Sequence, residues 1–189
     1  KVMDQGLALA DWQGFDGRAA QSKANGKLRG LGIATFLEWT GGNVFEERVT
    51  IDVKADGVIE VYSAVNQMGQ GIATTLAQLV VDAFGVPIEQ VRVVLGDTDR
   101  GNGFGSAGSR SLFTGGSAMR SGAYKTLHEA KQLAAKALEA APEDIRYESA
   151  PFFVAGTDHA IGLFELAGQQ DGGHIFVDHT HTVAGPTWP

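Results

Sequence analysis

The sequence contains no cysteine among its 189 residues. Disulfide bridges, thiolate-bound metal clusters and a cysteine nucleophile are therefore excluded within this chain. No apolar run approaches the ~18 residues that a membrane-spanning helix needs. The first residues also lack the basic segment and apolar stretch of a signal peptide. We therefore predict no membrane span and expect a cytoplasmic protein.

Positive charge is scarce as well, since the formal net charge is -7. Nucleic-acid binding depends on a basic surface that neutralises phosphates, so no nucleic-acid partner is expected. The sequence is instead rich in glycine, with 26 residues, twice the usual share of about 7%. Outside ordinary turns these glycines gather in two places, Gly69 with Gly71 and the run from Gly101 to Gly116.

Apolar periodicity predicts an α+β fold in which helices pack on a mixed sheet. We expect one domain over residues 1–189. Helices are predicted within residues 13–28, ending at Asn25-Gly26, and over residues 72–84, 118–140 and 163–167. Strands are predicted over residues 30–39, 49–54, 58–65, 88–95, 145–148, 152–154 and 174–183. The Asp56-Gly57 pair between the second and third of these strands predicts a tight hairpin.

The second glycine run contains a G-x-G-x-x-G string at residues 103–108. In dinucleotide-binding folds this string directly follows a strand, and an acidic residue ends the next strand ~20 positions later. Here residues 97–102 intervene, and position 128 lies inside the predicted long helix. A NAD-dependent dehydrogenase is therefore kept only as a second alternative.

Both glycine runs precede a predicted helix, where backbone N–H groups and the positive end of the helix dipole favour anions. In the second run, Gly108-Ser109-Arg110-Ser111 offers hydroxyls and a guanidinium, so it is interpreted as a phosphate or pyrophosphate cradle. In the first run, Gln70 lies between Gly69 and Gly71 and can both donate to and accept from the edge of a pterin or purine. The alternative for each run is an ordinary turn whose polar side chains face water.

The other polar residues have simpler explanations. His179 and His181 are predicted on the surface of an edge strand, because structural zinc needs four ligands. Asp97 and Asp99 are assigned to turn formation, and Glu46 with Glu47 to a solvated charged patch. No catalytic residue and no metal ligand is predicted in this chain.

An ordered series of motifs resembles the molybdenum-binding large subunit of the xanthine dehydrogenase, aldehyde oxidase and carbon monoxide dehydrogenase family. The matching segments are residues 28–34, 66–71, 77–78, 85–87, 91–99, 108–111, 115–118 and 185–187. The resemblance implies molybdopterin binding through Gly69, Gln70, Gly71, Gly108, Ser109, Arg110 and Ser111. It also implies that the cofactor is the cytosine dinucleotide form, with Arg110 at its pyrophosphate and Gln70 across the fold at its pterin. Ile72 stands where many relatives have histidine.

The same resemblance implies an oxidoreductase that hydroxylates an aldehyde or an N-heterocycle such as xanthine with oxygen from water. Its partners would be the remainder of its own subunit, iron-sulfur and FAD subunits or domains, and a small-molecule substrate. The family's upstream half and its downstream catalytic glutamate are not in this sequence. We therefore expect a fragment of the molybdopterin-binding region that is inactive alone. The alternative is a non-catalytic cofactor-binding or interaction module.

Overall fold

The computed structural model describes residues 1–36, 38 and 44–185. They form two compact units, Lys1–Leu37 and Glu38–Pro189, and the expectation of a single domain stays a prediction. The smaller unit contains helix α1, Val2–Leu9, a short 3-10 turn at Trp12–Gly14, and helix α2, Phe15–Ala24. The second helix confirms the one predicted to end at Asn25-Gly26.

No strand forms over residues 30–36, so that part of the predicted strand over residues 30–39 is wrong. A strand needs a hydrogen-bonded neighbour for its backbone groups, and the described part of the smaller unit contains no other strand. Leu37 and Trp39, which complete the predicted strand, and residues 186–187 of the last matching segment lie outside the described residues.

The larger unit is built on a four-stranded mixed sheet of order β3-β2-β1-β7. Its strands are β1, Glu46–Lys54, β2, Ile59–Ser63, β3, Val91–Leu95, and β7, His174–Thr182. Strand β1 pairs antiparallel with β2 and with β7, and β2 pairs parallel with β3. This arrangement confirms the predicted α+β class and the predicted hairpin.

One face of this sheet is apolar and packs against helices. Val49, Ile51 and Val53 alternate along β1 and are fully buried, and each contributes roughly 1.5–3 kcal/mol by leaving water. Helix α4, Ser117–Ala137, packs on β1 and β7, and helix α3, Ile72–Phe84, packs on β3. The core therefore lies between the sheet and these helices.

Helix α3 has the predicted bounds because Gly71 and Gly85 adopt left-handed conformations at its two ends, which glycine does without steric cost. Helix α4 ends before the predicted Ala140, and a π-helix over Ser111–Gly116 precedes it. A second, antiparallel sheet contains β4, Ile145–Tyr147, β5, Pro151–Val154, and β6, Ala160–Gly162, and is followed by helix α5, Leu163–Gly168. Among the described residues no helix is both long and apolar enough to cross a bilayer.

The parallel pair β2 and β3 decides where the two glycine runs lie. Helix α3 connects these strands, so the first run follows the carboxyl end of β2 and the second follows the carboxyl end of β3. Carboxyl ends of adjacent parallel strands meet at one edge of the sheet, which is where α/β folds bind ligands. The topology therefore brings both runs to the same edge.

Candidate functional site

The two glycine runs enclose a cleft of about 350 Å³. Its lining comes from both runs and from the start of α3: Met68, Gln70, Ile72, Thr75, Ala107, Gly108, Ser109, Ser111 and Leu112. Gln70 and the Gly108–Ser111 segment, which the sequence predicted to meet across the fold, thus share one cleft. None of these lining residues carries a charge.

The first run is held in shape by its own glutamine. The Gln70 side chain accepts from the Met68 N–H at 2.6 Å and donates to the Asn66 carbonyl at 2.8 Å. Gly69 and Gly71 have φ of +83° and +75°, values that favour glycine. One Nε2 hydrogen and one Oε1 lone pair remain for a ligand in the cleft.

The second run turns back on itself at the cleft. The Arg110 N–H donates to the Ala107 carbonyl at 3.1 Å, and Gly108 and Ser109 between them have φ of +53° and +57°. Two consecutive positive φ values define a type I′ turn. Serine in this region costs roughly 1 kcal/mol, and Ser109 is exposed at the cleft wall.

Ser106 joins the two runs to each other. Its Oγ accepts from the Asn66 N–H at 2.8 Å and from the Ser111 hydroxyl at 2.7 Å, and it donates to the Asn66 carbonyl at 3.0 Å. The Ser106 N–H also donates to Asn66 Oδ1 at 3.2 Å. These bonds make the two walls of the cleft a single connected structure.

The start of the second run is fixed on the other face of the sheet. Tyr62 donates its hydroxyl to the Gly101 carbonyl at 2.9 Å, and Arg48 donates to the Arg100 carbonyl at 3.0 Å. Arg100 in turn donates to the buried Glu60 at 2.6 Å. The run therefore starts on the face of the sheet opposite the helices and ends at α4, on the helical face.

Arg110 differs from the sequence interpretation in where its side chain lies. It is fully buried, contacts Glu47 at 2.8 Å and donates to three backbone carbonyls. It does not line the cleft. Its contact with a phosphate stays a prediction. The observed partners of the guanidinium belong to the sheet and to the glycine run itself. Glu47 itself is 3% exposed, so its assignment to a solvated patch is wrong.

Sequence patterns did not indicate Glu47, Ser106 or Thr75 as residues of the site. The partner of Glu47 is 63 positions away along the chain, and strand alternation does not reveal such a pair. The position of Ser106 inside the G-x-G-x-x-G string could have drawn attention to it. That string precedes α4, and the following strand β4 lies in the other sheet, so it is not in the β-α-β unit of a dinucleotide-binding fold.

The predicted turn role of Asp97 agrees with the structure, and the prediction for the two histidines agrees in part. Asp97 accepts from the Asp99 N–H at 3.1 Å, as its predicted turn role requires. His179 and His181 lie on β7, an edge strand of the sheet. His179 is partly buried against α4, where its Nε2 lies 2.9 Å from the Ser121 hydroxyl. No cluster of three or more potential metal ligands occurs in the part of the chain that the structure describes.

The environment of His179 leads us to predict that the folded chain loses stability in mild acid. Burial, and then the charges of Lys125 and His181, lower its pKa below the ordinary 6.5, although Asp178 acts in the opposite direction. The unfolded chain is therefore protonated first, so the stabilisation is full above pH 6.5 and is lost as pH falls through the lower folded pKa. The melting temperature should decrease between about pH 8 and about pH 5, and this decrease should be smaller in His179→Gln than in wild type. His159 is exposed, so the melting temperature of His159→Gln should decrease as much as that of wild type. Equal decreases in wild type and both variants would contradict a role of His179 in the loss of stability.

Known proteins match this chain over most of its length. The family model of the molybdopterin cofactor-binding domain matches residues 5–188. The gamma subunit of the 6-hydroxypseudooxynicotine dehydrogenase complex from Paenarthrobacter nicotinovorans is 31% identical over 90% of this chain. The large chain of carbon monoxide dehydrogenase from Hydrogenophaga pseudoflava is 33% identical over 69% of this chain.

A solved structure shows the same fold. Quinoline 2-oxidoreductase from Pseudomonas putida 86 superposes with a TM-score of 0.64 and 28% identity over 95% of this chain. The chain spans 22% and 18% of the lengths of the two curated relatives and 26% of the solved chain. With its fold, its paired glycine runs and a family match over nearly all residues, this chain belongs to the molybdopterin cofactor-binding domain of molybdenum hydroxylase large subunits.

Proposed function

We propose that the cleft between the two glycine runs holds part of the molybdopterin cofactor, through residues 69–71 and 108–111. The observation that carries this proposal is that both runs line one cleft and are joined through Ser106. A volume of about 350 Å³ lies within the range of small-molecule pockets, roughly 300–1,000 Å³. The cleft therefore has the size for a portion of a cofactor.

The donors at the cleft fit a pterin and its phosphates. Gln70 offers an amide edge, and Ser109 and Ser111 offer hydroxyls. Helix α3 begins at this cleft with Gly71 as its N-cap and no side-chain cap, so its first N–H groups and its positive dipole end are open to an anion. The chain would thus hold the phosphates with neutral donors and backbone groups.

The cytosine dinucleotide form of the cofactor is part of this proposal. It is supported by the resemblance of Gly108-Ser109-Arg110-Ser111 to the loop of bacterial relatives that carry this form. When bound, the cofactor supplies the molybdenum centre at which a C–H bond is hydroxylated with oxygen from water. The residues of this chain bind and orient the cofactor, and the catalytic base is expected downstream of them.

For the whole enzyme we propose a molybdenum hydroxylase that acts on an N-heterocycle or an aldehyde. Two of the relatives are named for quinoline and for a nicotine derivative, both of which contain a nitrogen heterocycle, so this class is preferred. Electrons would pass to iron-sulfur and FAD subunits or domains. The compounds for which these relatives are named, rather than any residue in the cleft, support the substrate class.

Filling the cleft tests the proposal. Thr75 lies on α3 and lines the cleft, whereas Gln78 lies one turn further along the same helix and is exposed outside it. In the intact large subunit, Thr75→Trp should lower the content of molybdenum, pterin and cytidine nucleotide at least about tenfold, the equivalent of 1.4 kcal/mol. The matched Gln78→Trp variant should keep wild-type content. Equal content in both variants would contradict the cleft assignment.

A further inference from the structure

We infer that Arg110 and Glu47 are positioning residues that hold the second glycine run in its cofactor-binding shape. This inference rests on the proposed function, because it concerns the same cleft. Arg110 would act from beneath the cleft through its side chain, instead of contacting a phosphate.

The Arg110 guanidinium connects two separate parts of the chain. It donates to the carbonyls of Val44 and Glu46 at 3.2 and 2.8 Å, just before and at the start of β1, and to that of Gly105 at 2.5 Å. The contact with Gly105 closes residues 105–110 into a ring, and this ring contains both Ser106 and the turn at Ser109. The shape of the cleft wall therefore depends on where this guanidinium is fixed.

Glu47 fixes the guanidinium to the sheet. One carboxylate oxygen accepts from Arg110 at 2.8 Å, and the other accepts from the Ser63 hydroxyl at 2.7 Å and the Ala64 N–H at 3.0 Å. Ser63 ends β2, the strand that the first glycine run follows. A single carboxylate thus ties the second run to the strand that leads into the first.

Burial makes each charge of this pair dependent on the other, because removal of one partner leaves an unpaired buried charge. The side chains of Arg110 and Glu47 are 0% and 1% exposed, and a buried ion pair gains little net stability over apolar residues of similar volume. The planar fork of arginine does supply several donors in fixed directions. Lysine cannot reproduce this arrangement, although it keeps the charge.

A double-mutant cycle in the intact large subunit separates positioning from direct phosphate contact. The variants are Arg110→Gln, Glu47→Gln and the double variant, with Arg146→Gln, exposed on β4 of the second sheet, as the control. We expect each single variant to lower molybdenum and pterin content at least about fivefold. The double variant should lose no more than the larger single loss, because coupled residues are not additive.

Local hydrogen exchange gives a readout that a general loss of stability would not produce. Amides of residues 103–111 should exchange at least about fivefold faster in Glu47→Gln and in Arg110→Lys, while those of β1 and α3 keep their wild-type rates. Arg110→Lys retains the charge, so it also serves if Arg110→Gln does not fold.

Two outcomes would overturn the positioning role. One is a loss of cofactor in Arg110→Gln with wild-type content in Glu47→Gln, which indicates a direct contact with the cofactor. The other is unchanged exchange over residues 103–111 in Arg110→Lys and Glu47→Gln. Either outcome leaves the cleft assignment standing if Thr75→Trp still loses the cofactor, so failure of this inference is distinguishable from failure of the proposed function.

Discussion

Replacing Gly103 with alanine should lower the cofactor content of the intact large subunit at least about tenfold, since overpacking costs roughly 1–3 kcal/mol. The added Cβ would lie 2.1 Å from the Cβ of Ala64, whereas carbon atoms pack at about 3.5–4.0 Å. The second glycine run would have to move away from the end of β2. Molybdenum and pterin analysis of the purified variant measures the effect.

The same contact offers a compensating change. In the double variant Gly103→Ala with Ala64→Gly, the nearest atom to the new Cβ is the Ala64 Cα at 3.6 Å, an ordinary contact. The double variant should therefore regain most of the cofactor. Gly17→Ala is the control, because nothing lies within 4 Å of a Cβ at that position. If the double variant contained as little cofactor as Gly103→Ala, the contact with Ala64 would not be the cause of the cofactor loss.

Removing the Ser106 hydroxyl should produce the second large effect. Ser106→Ala deletes three hydrogen bonds to Asn66 and Ser111, each worth roughly 0.5–1.5 kcal/mol. The two walls of the cleft would lose most of their connection, so bound cofactor should dissociate at least about tenfold faster. The rate of cofactor release from the loaded subunit measures this loss.

Thr157→Ala is the matched control for Ser106→Ala. The Thr157 hydroxyl also takes part in local hydrogen bonds, to the Val154 carbonyl and from the His159 N–H, but it lies in the turn between β5 and β6. Its loss should leave the release rate unchanged. Equal release from both variants would mean that the connection through Ser106 does not hold the cleft together.

Local signals in the sequence were sufficient for the main elements of the larger unit. The Asp56-Gly57 turn and the alternation on both sides of it predicted the hairpin of β1 and β2. Glycine at both ends predicted the bounds of α3. These signals work because turn and cap conformations depend on the residues at the turn itself. Strand β6 was missed because two of its three residues are alanine and glycine, which are uncommon in strands.

Contacts between residues that are far apart along the chain could not be predicted in the same way. Arg110 was interpreted from its neighbours Ser109 and Ser111, which suggested a phosphate site, and Glu47 from its neighbour Glu46, which suggested solvent. The structure pairs Arg110 with Glu47 instead. Only the packing of β1 against the glycine run brings these charges together, and a buried charge requires such a partner.

A structure of the intact large subunit with its cofactor bound is the most direct test of the central claim. We predict that the pterin and its phosphates contact the cleft, with hydrogen bonds to both residues 69–71 and residues 108–111. A cofactor that contacts only one of these segments, or neither, would contradict the claim that the two glycine runs form one binding site.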